Sequence, residues 1–268
     1  MRAKGDHITI PESTLRRFVD SQSKQFAYYD LSTGTIEEEY PGRYNTEIGY
    51  FPQAFEALLS REVERHIGIL HAKLKVFEET QGILQTDDGF KETLIRIVTA
   101  QTFRMRDFFE SMKDDLAELC RRRKIPPTLS NMKEIFYTQD HLERLVGSTN
   151  QLLASYTVRC AIVSDSATGS FLLPPTHFFQ AGSRGSGGAY YFIPMSPRYA
   201  FVLLPREANE KYIDQETWTQ GFFDIGDDDL SLFVPHCIKV AKQFKDGHLI
   251  GEKQYLQHLS AEGLFQSA

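Results

Sequence analysis

The sequence predicts an α+β fold, with a mainly helical N-terminal half packed on a small, mostly antiparallel sheet supplied by the C-terminal half. Two observations predict it. Over residues 50–156 the apolar positions recur at spacings of three and four, the period of helices with one buried face. Over residues 157–206 they gather instead into short aromatic and aliphatic runs bounded by Pro, Gly and Ser, as strands do. Helical spacing returns over residues 229–259, and no repeat or long linker divides the chain, so one domain over residues 1–268 is expected.

Each element has its own signal. Pro11 suits the first turn of a short helix carrying Leu15, Phe18 and Val19, because its missing N–H has no intrahelical partner there. Residues 25–30 and 35–36 flank Leu31-Ser32-Thr33-Gly34 and read as a hairpin. From Pro52 the residues Phe55, Leu58, Leu59, Val63, Ile67, Leu70, Leu74 and Phe77 mark a helix to about Glu79, ended by Gln81-Gly82. A second long helix follows Asp87-Asp88-Gly89 and runs to Arg121-Arg122-Arg123-Lys124. Its cations complement the negative helix end, and Pro126-Pro127 prevents continuation. Further helix is expected over residues 131–136 and 140–155, and strands over 158–163, 190–194 and 199–205. Residues 181–188 are too glycine-rich to carry a core, and Gly247 and Gly251 are expected breaks in the helical tail.

Composition excludes several classes. With 41% hydrophobic and 25% charged residues the chain is neither disordered nor fibrous. No apolar run approaches a membrane span, and the first residues lack the apolar stretch of a signal peptide, so a cytoplasmic location is expected. Cys120, Cys160 and Cys237 are widely separated and show no CxxC spacing, which gives neither a disulfide framework nor a zinc site. Thirty Lys and Arg against thirty-six Asp and Glu leave a net charge of −6, which argues against general charge-driven binding to nucleic acid or membrane.

The common short catalytic signatures are absent. Gly185-Ser186-Gly187-Gly188 lacks the lysine and following helix of a phosphate loop. On the first long helix Glu62 and His66 are four apart, with Glu56 earlier on the same helix; such a carboxylate and imidazole can share a divalent metal, or belong to a solvated charged face with Arg61, Glu64 and Arg65. Gln101 and Arg104 lie near the apolar stripe of the second, so the guanidinium is expected to be partly buried and to need an anionic partner, either internal or a substrate. Asp165, in Ser164-Asp165-Ser166 just past a strand, fits a site or a turn. His7 precedes Pro11 and is the last candidate; the remaining histidines show no ligand spacing.

Together, His7 with Pro11, Leu15 and Phe18, then Tyr29-Asp30 with Thr33-Gly34, Glu56 and Glu62, Gln101 and Arg104, Ser164-Asp165, and Pro194-Met195-Ser196-Pro197-Arg198, resemble the bacterial domain of unknown function 4238 family. The similarity spans nearly the whole chain. It departs in the spacing of His7 to Pro11 and in Ala167, where a proline is expected. The resemblance implies this residue shortlist and names no substrate.

Two functions are expected from these residues. In the first, His7, Glu56, Glu62, Gln101, Arg104 and Asp165 converge on one cleft as a metal-assisted hydrolase of a phosphodiester or nucleotide-type substrate, Glu62 and His66 holding a divalent cation. In the second, Arg104 pairs internally with Glu56 or Glu62, and the chain is a non-catalytic module that meets a protein partner or senses a ligand.

Overall fold

A computed structural model describes residues 6–7, 10–47, 49–80, 88–181, 190–205, 222–244 and 247–267. Its elements run β1 (Asp6–His7), α1 (Glu12–Leu15), β2 (Phe26–Asp30), β3 (Thr35–Glu39), β4 (Thr46–Glu47), α2 (Gln53–Leu59), a π-helical turn (Ser60–Glu64), α3 (Arg65–Thr80), α4 (Asp88–Arg104), α5 (Arg106–Ser111), α6 (Lys113–Arg122), α7 (Leu129–Phe136) and α8 (Gln139–Leu152). The C-terminal half supplies β5 (Tyr156–Val163), β6 (Phe179–Ala181), β7 (Tyr190–Pro194), β8 (Tyr199–Pro205), β9 (Phe222–Ile225), α9 (Asp227–Ala241), β10 (His248–Gly251), α10 (Lys253–Ala261) and α11 (Leu264–Ser267). This is the expected α+β class. The glycine-rich residues 182–188 lie outside the described residues.

The main sheet has the order β6-β7-β8-β5-β9, antiparallel throughout except where β9 runs parallel to β5. Alternation along its strands sends Val158, Cys160, Ile162, Phe201 and Leu203 into a core shared with the N-terminal helices. Ala161, Val163, Ala200 and Val202 face a second core with Leu230, Val234 and Ile238 of α9. Both faces are therefore covered, which is why β5 and β8 read as nearly continuous apolar runs and not as alternating ones. Phe90 of α4 meets Phe201 of β8 edge to face, ring centres 5.0 Å apart, and seats the helical layer on the sheet.

Three expectations need correction. The first long helix is continuous from Gln53 to Thr80, but Ser60–Glu64 inserts a π turn, whose wider hydrogen-bond loop shifts the faces of the residues after it relative to a regular 3.6-residue spiral. The second long helix stops at Arg104: Met105 is extended (φ −64°, ψ 134°), and α5 and α6 follow as separate pieces. No proline or glycine marks that break; Met105 is buried, and packing overrides a sequence that reads as helix throughout. The tail is not wholly helical, because β10 lies between Gly247 and Gly251 and pairs with β2, so the N-terminal hairpin and the tail build a three-stranded sheet β10-β2-β3 of their own. Gly251 allows a close approach there: a Cβ would fall 2.7 Å from Leu172 Cδ2, so a larger residue would push that side chain aside.

Candidate functional site

Arg104 ends α4, where its positive charge meets the negative end of the helix. The side chain is fully buried, with Nη2 3.5 Å from Glu64 Oε1 and Cζ 5.8 Å from the ring centre of Phe51. Glu64 is the last residue of the π turn. Glu64 is thus a described partner of Arg104 in addition to any contact made by the expected glutamates, and it does not belong wholly to a solvated face: the π turn brings it to the interior side.

Gln101 stands one turn before Arg104 and is also buried. Its Nε2 lies 3.1 Å from Nδ1 of His177, a histidine in the segment between β5 and β6. With the amide donating, Nδ1 accepts and the ring proton resides on Nε2, which has no hydrogen-bond partner among the described residues, while the Pro194 carbonyl raises the proton affinity of the ring. Burial outweighs that carbonyl and, with the nearby charge of Arg104, pulls the imidazole down to about 4, so His177 is neutral at pH 7. His177 holds φ +65°, uncommon for a residue with a side chain, and its N–H donates to the Pro174 carbonyl at 2.9 Å.

A second histidine connects this interior cluster to the surface. His71 of α3 is buried, and its Nε2 has no hydrogen-bond partner among the described residues. Burial first, then the charges of Arg17 and His177, depress it to about 3. His71 lines a cleft of about 750 Å³ bounded by the turn that follows α1, the hairpin, α3, the Ser196–Tyr199 turn and the start of α10. This is within the ordinary size of a small-ligand site.

The charges around the cleft are unevenly committed. Lys253 pairs with Glu38 at 2.7 Å, and Arg198 pairs with Asp165. Asp20 accepts from the amides of Gln22 and Ser23, which lowers its carboxyl below the usual range. Arg17, beside His71, makes no ion pair or side-chain hydrogen bond with a described residue. Lys75 adds a further cation, and Glu252 a further acid. The wall therefore offers a neutral imidazole with a buried, unpartnered nitrogen near an uncommitted guanidinium, an arrangement suited to an oxyanion.

The expected residues divide accordingly. Gln101 and Arg104 come together, joined by Glu64 and His177. Asp165 is at the surface, its side chain 83% exposed, beside Arg198 at the cleft. Glu56 lies on α2 with Oε2 buried. His66 lies half-buried on α3, and among the described residues no three His, Cys, Asp or Glu side chains gather to hold a metal ion. His7 sits in β1 opposite Thr46; its side chain and that of Glu62 are outside the described residues.

Sequence reasoning passed over His71 and His177, having sought ligand spacing among histidines. The available signal was different: His71 falls four residues after Ile67 and three before Leu74, inside the apolar stripe of its helix, where an imidazole is buried and its polar atoms need partners.

No family model matches the chain, and neither a curated protein nor a solved structure matches it, so function is read from the geometry.

Proposed function

We propose that the chain binds a small anionic ligand of the nucleotide or phosphodiester class in the cleft walled by Arg17 and His71. The observation that carries this reading is the buried, unpartnered Nε2 of His71, a residue on the cleft wall, near a guanidinium with no other described partner. An oxyanion entering there satisfies both groups: it accepts from Arg17, and its charge favours a proton on His71, so that His71 becomes a second donor. Arg104 has a separate role in this reading. It is closed off from the cleft by burial and organises α4 against the π turn through Glu64, while Gln101 fixes the ring of His177 behind His71.

A second reading is metal-assisted hydrolysis of the same ligand class, favoured by an imidazole on the cleft wall able to move a proton, with the divalent cation carried in on the ligand's phosphates because Asp20, Glu38 and Glu252 do not gather to hold one. A thermal-shift series with inorganic phosphate, AMP and ATP, each with and without Mg²⁺ or Mn²⁺, tests the binding, and release of nitrophenol from bis(p-nitrophenyl) phosphate tests the chemistry. Binding raises the melting temperature with anion alone and loses that rise in Arg17→Ala and His71→Ala. A flat series with every anion, with and without metal, overturns the binding reading; nitrophenol release that needs Mn²⁺ and is lost in His71→Ala favours the second.

A further inference from the structure

A groove on the far side of the helical layer, made by α4, α6, α7 and α8, has a chemistry unlike that of the cleft. Its wider part, about 390 Å³, is lined by Leu116, Leu119 and Ile135. Its narrower part, about 140 Å³, is lined by Phe108, Leu152 and Tyr191. Leu145 lines both, and the α8 residues that face them, His141, Leu145, Ser148, Thr149 and Leu152, recur at helical spacing along one side of α8. The two parts therefore form one trough of roughly 16 Å, from the rise of about 1.5 Å per helical residue.

Its polarity is one-ended. No charged residue lines the narrow part, whereas the wide part carries Arg123 and Arg144 against a single acid, Asp115. Along the trough the hydroxyls are turned away from it: Thr99, Thr102, Ser148 and Thr149 each donate to the carbonyl four residues earlier, at 2.8, 3.1, 3.0 and 2.9 Å. His141 likewise spends Nδ1 on the Phe136 carbonyl at 3.1 Å. What remains facing outward is hydrocarbon, ending in Leu152, whose 69% exposure is the largest among the big apolar side chains described. A surface strip of this kind on an otherwise polar chain marks a binding site.

From this we infer that the trough binds an anionic single-chain amphiphile, a fatty carboxylate, with the carboxylate at Arg123 and Arg144 and the acyl chain laid along α8 toward Leu152 and Tyr191. Charge complementarity selects the occupant: two guanidiniums at one end and none elsewhere suit one anionic head on one apolar tail, and the guanidinium fork matches a carboxylate. The site is independent of the cleft and of any role for His71.

Isothermal titration of the whole chain with octanoate, decanoate and dodecanoate, all below their micellar concentrations, tests it. One saturable site is expected, with binding tightened by about fourfold for each added methylene. Dodecyltrimethylammonium is expected to bind at least tenfold more weakly than dodecanoate, and the double variant Arg123→Glu/Arg144→Glu to erase that preference. Ser148→Trp fills the trough and abolishes binding; should it not fold, Leu152→Glu at the exposed tail end weakens dodecanoate more than octanoate. Arg17→Ala binds dodecanoate like the unaltered chain, which separates this site from the cleft. Non-saturable uptake, no dependence on chain length or head charge, or full binding in both Ser148→Trp and Leu152→Glu overturns the inference.

Discussion

The interior cluster around Arg104 and the cleft around His71 contain the same kinds of groups and put them to different uses. At Arg104 a buried guanidinium, amide and imidazole and a partly exposed carboxylate contact one another, although Gln101 Oε1 and His177 Nε2 have no hydrogen-bond partner among the described residues. At His71 an imidazole and the neighbouring guanidinium of Arg17 have no such partner among the described residues, and they border open volume. A buried charge must be paired whatever its purpose, so burial of an arginine does not by itself indicate a substrate site. The informative feature is an unsatisfied buried polar group on the wall of the cleft, as on His71; Gln101 and His177 also bury unsatisfied atoms but do not line it.

If the difference holds, variants of the first region act on stability and those of the second on ligand binding. The largest effect is expected for Arg104→Ala, which removes a large buried side chain and leaves Glu64 and the α4 terminus without it. About 4 kcal/mol of stability is lost, measured by urea denaturation. Glu64→Ala removes one carboxylate from the buried guanidinium and costs about 3 kcal/mol, at the low end for a buried ion because Glu64 is itself partly exposed. Retention of full stability in both variants would break the comparison on its interior side.

Smaller effects sharpen it. Gln101→Leu leaves Nδ1 of His177 without its donor and costs about 2 kcal/mol, with no change in the affinity of the cleft for phosphate. Acid sensitivity follows from the two neutral histidines. Each has a folded-state pKa, about 3 for His71 and about 4 for His177, below the ordinary value of 6.5. Between those limits the unfolded chain takes up protons that the folded chain refuses. Stability is therefore unaffected by these groups above about pH 6.5 and falls as pH drops below it, by up to about 1.4 kcal/mol per pH unit for each histidine. Denaturation midpoints from pH 7 to pH 4.5 measure this, and His71→Phe removes its own share of the slope. The smallest stability effect belongs to Arg17→Ala, within about 0.5 kcal/mol because the residue is exposed, although its ligand response is lost.

The parts of this account that were legible in the sequence are those with a local signature. The helical period from Phe55 to Phe77, the hairpin turn at Gly34 and the strands β7 and β8 each carry their pattern within a few residues. Gln101 and Arg104 stood out because polar groups beside an apolar stripe must be paired. The extended Met105 and the π turn at Ser60–Glu64 have no such mark, since no local residue pattern signals either, and the approach of Glu64 to Arg104 depends on that turn. His71 and His177 are 106 positions apart in sequence and meet only through the fold, so no spacing rule joins them. Asp165 was correctly placed after a strand, but its partner Arg198 lies in the β7–β8 connection, and the pair is at the surface.

The most direct measurement is the melting temperature of the unaltered chain, Arg17→Ala and Arg104→Lys in the presence and absence of saturating ATP or inorganic phosphate. A ligand at one hundred times its dissociation constant adds about 2.7 kcal/mol to the folded state. The cleft account predicts that rise in the unaltered chain and in Arg104→Lys, whose starting stability is lower, and its absence in Arg17→Ala. A rise that survives in Arg17→Ala and disappears in Arg104→Lys would contradict it and return the ligand site to the interior cluster.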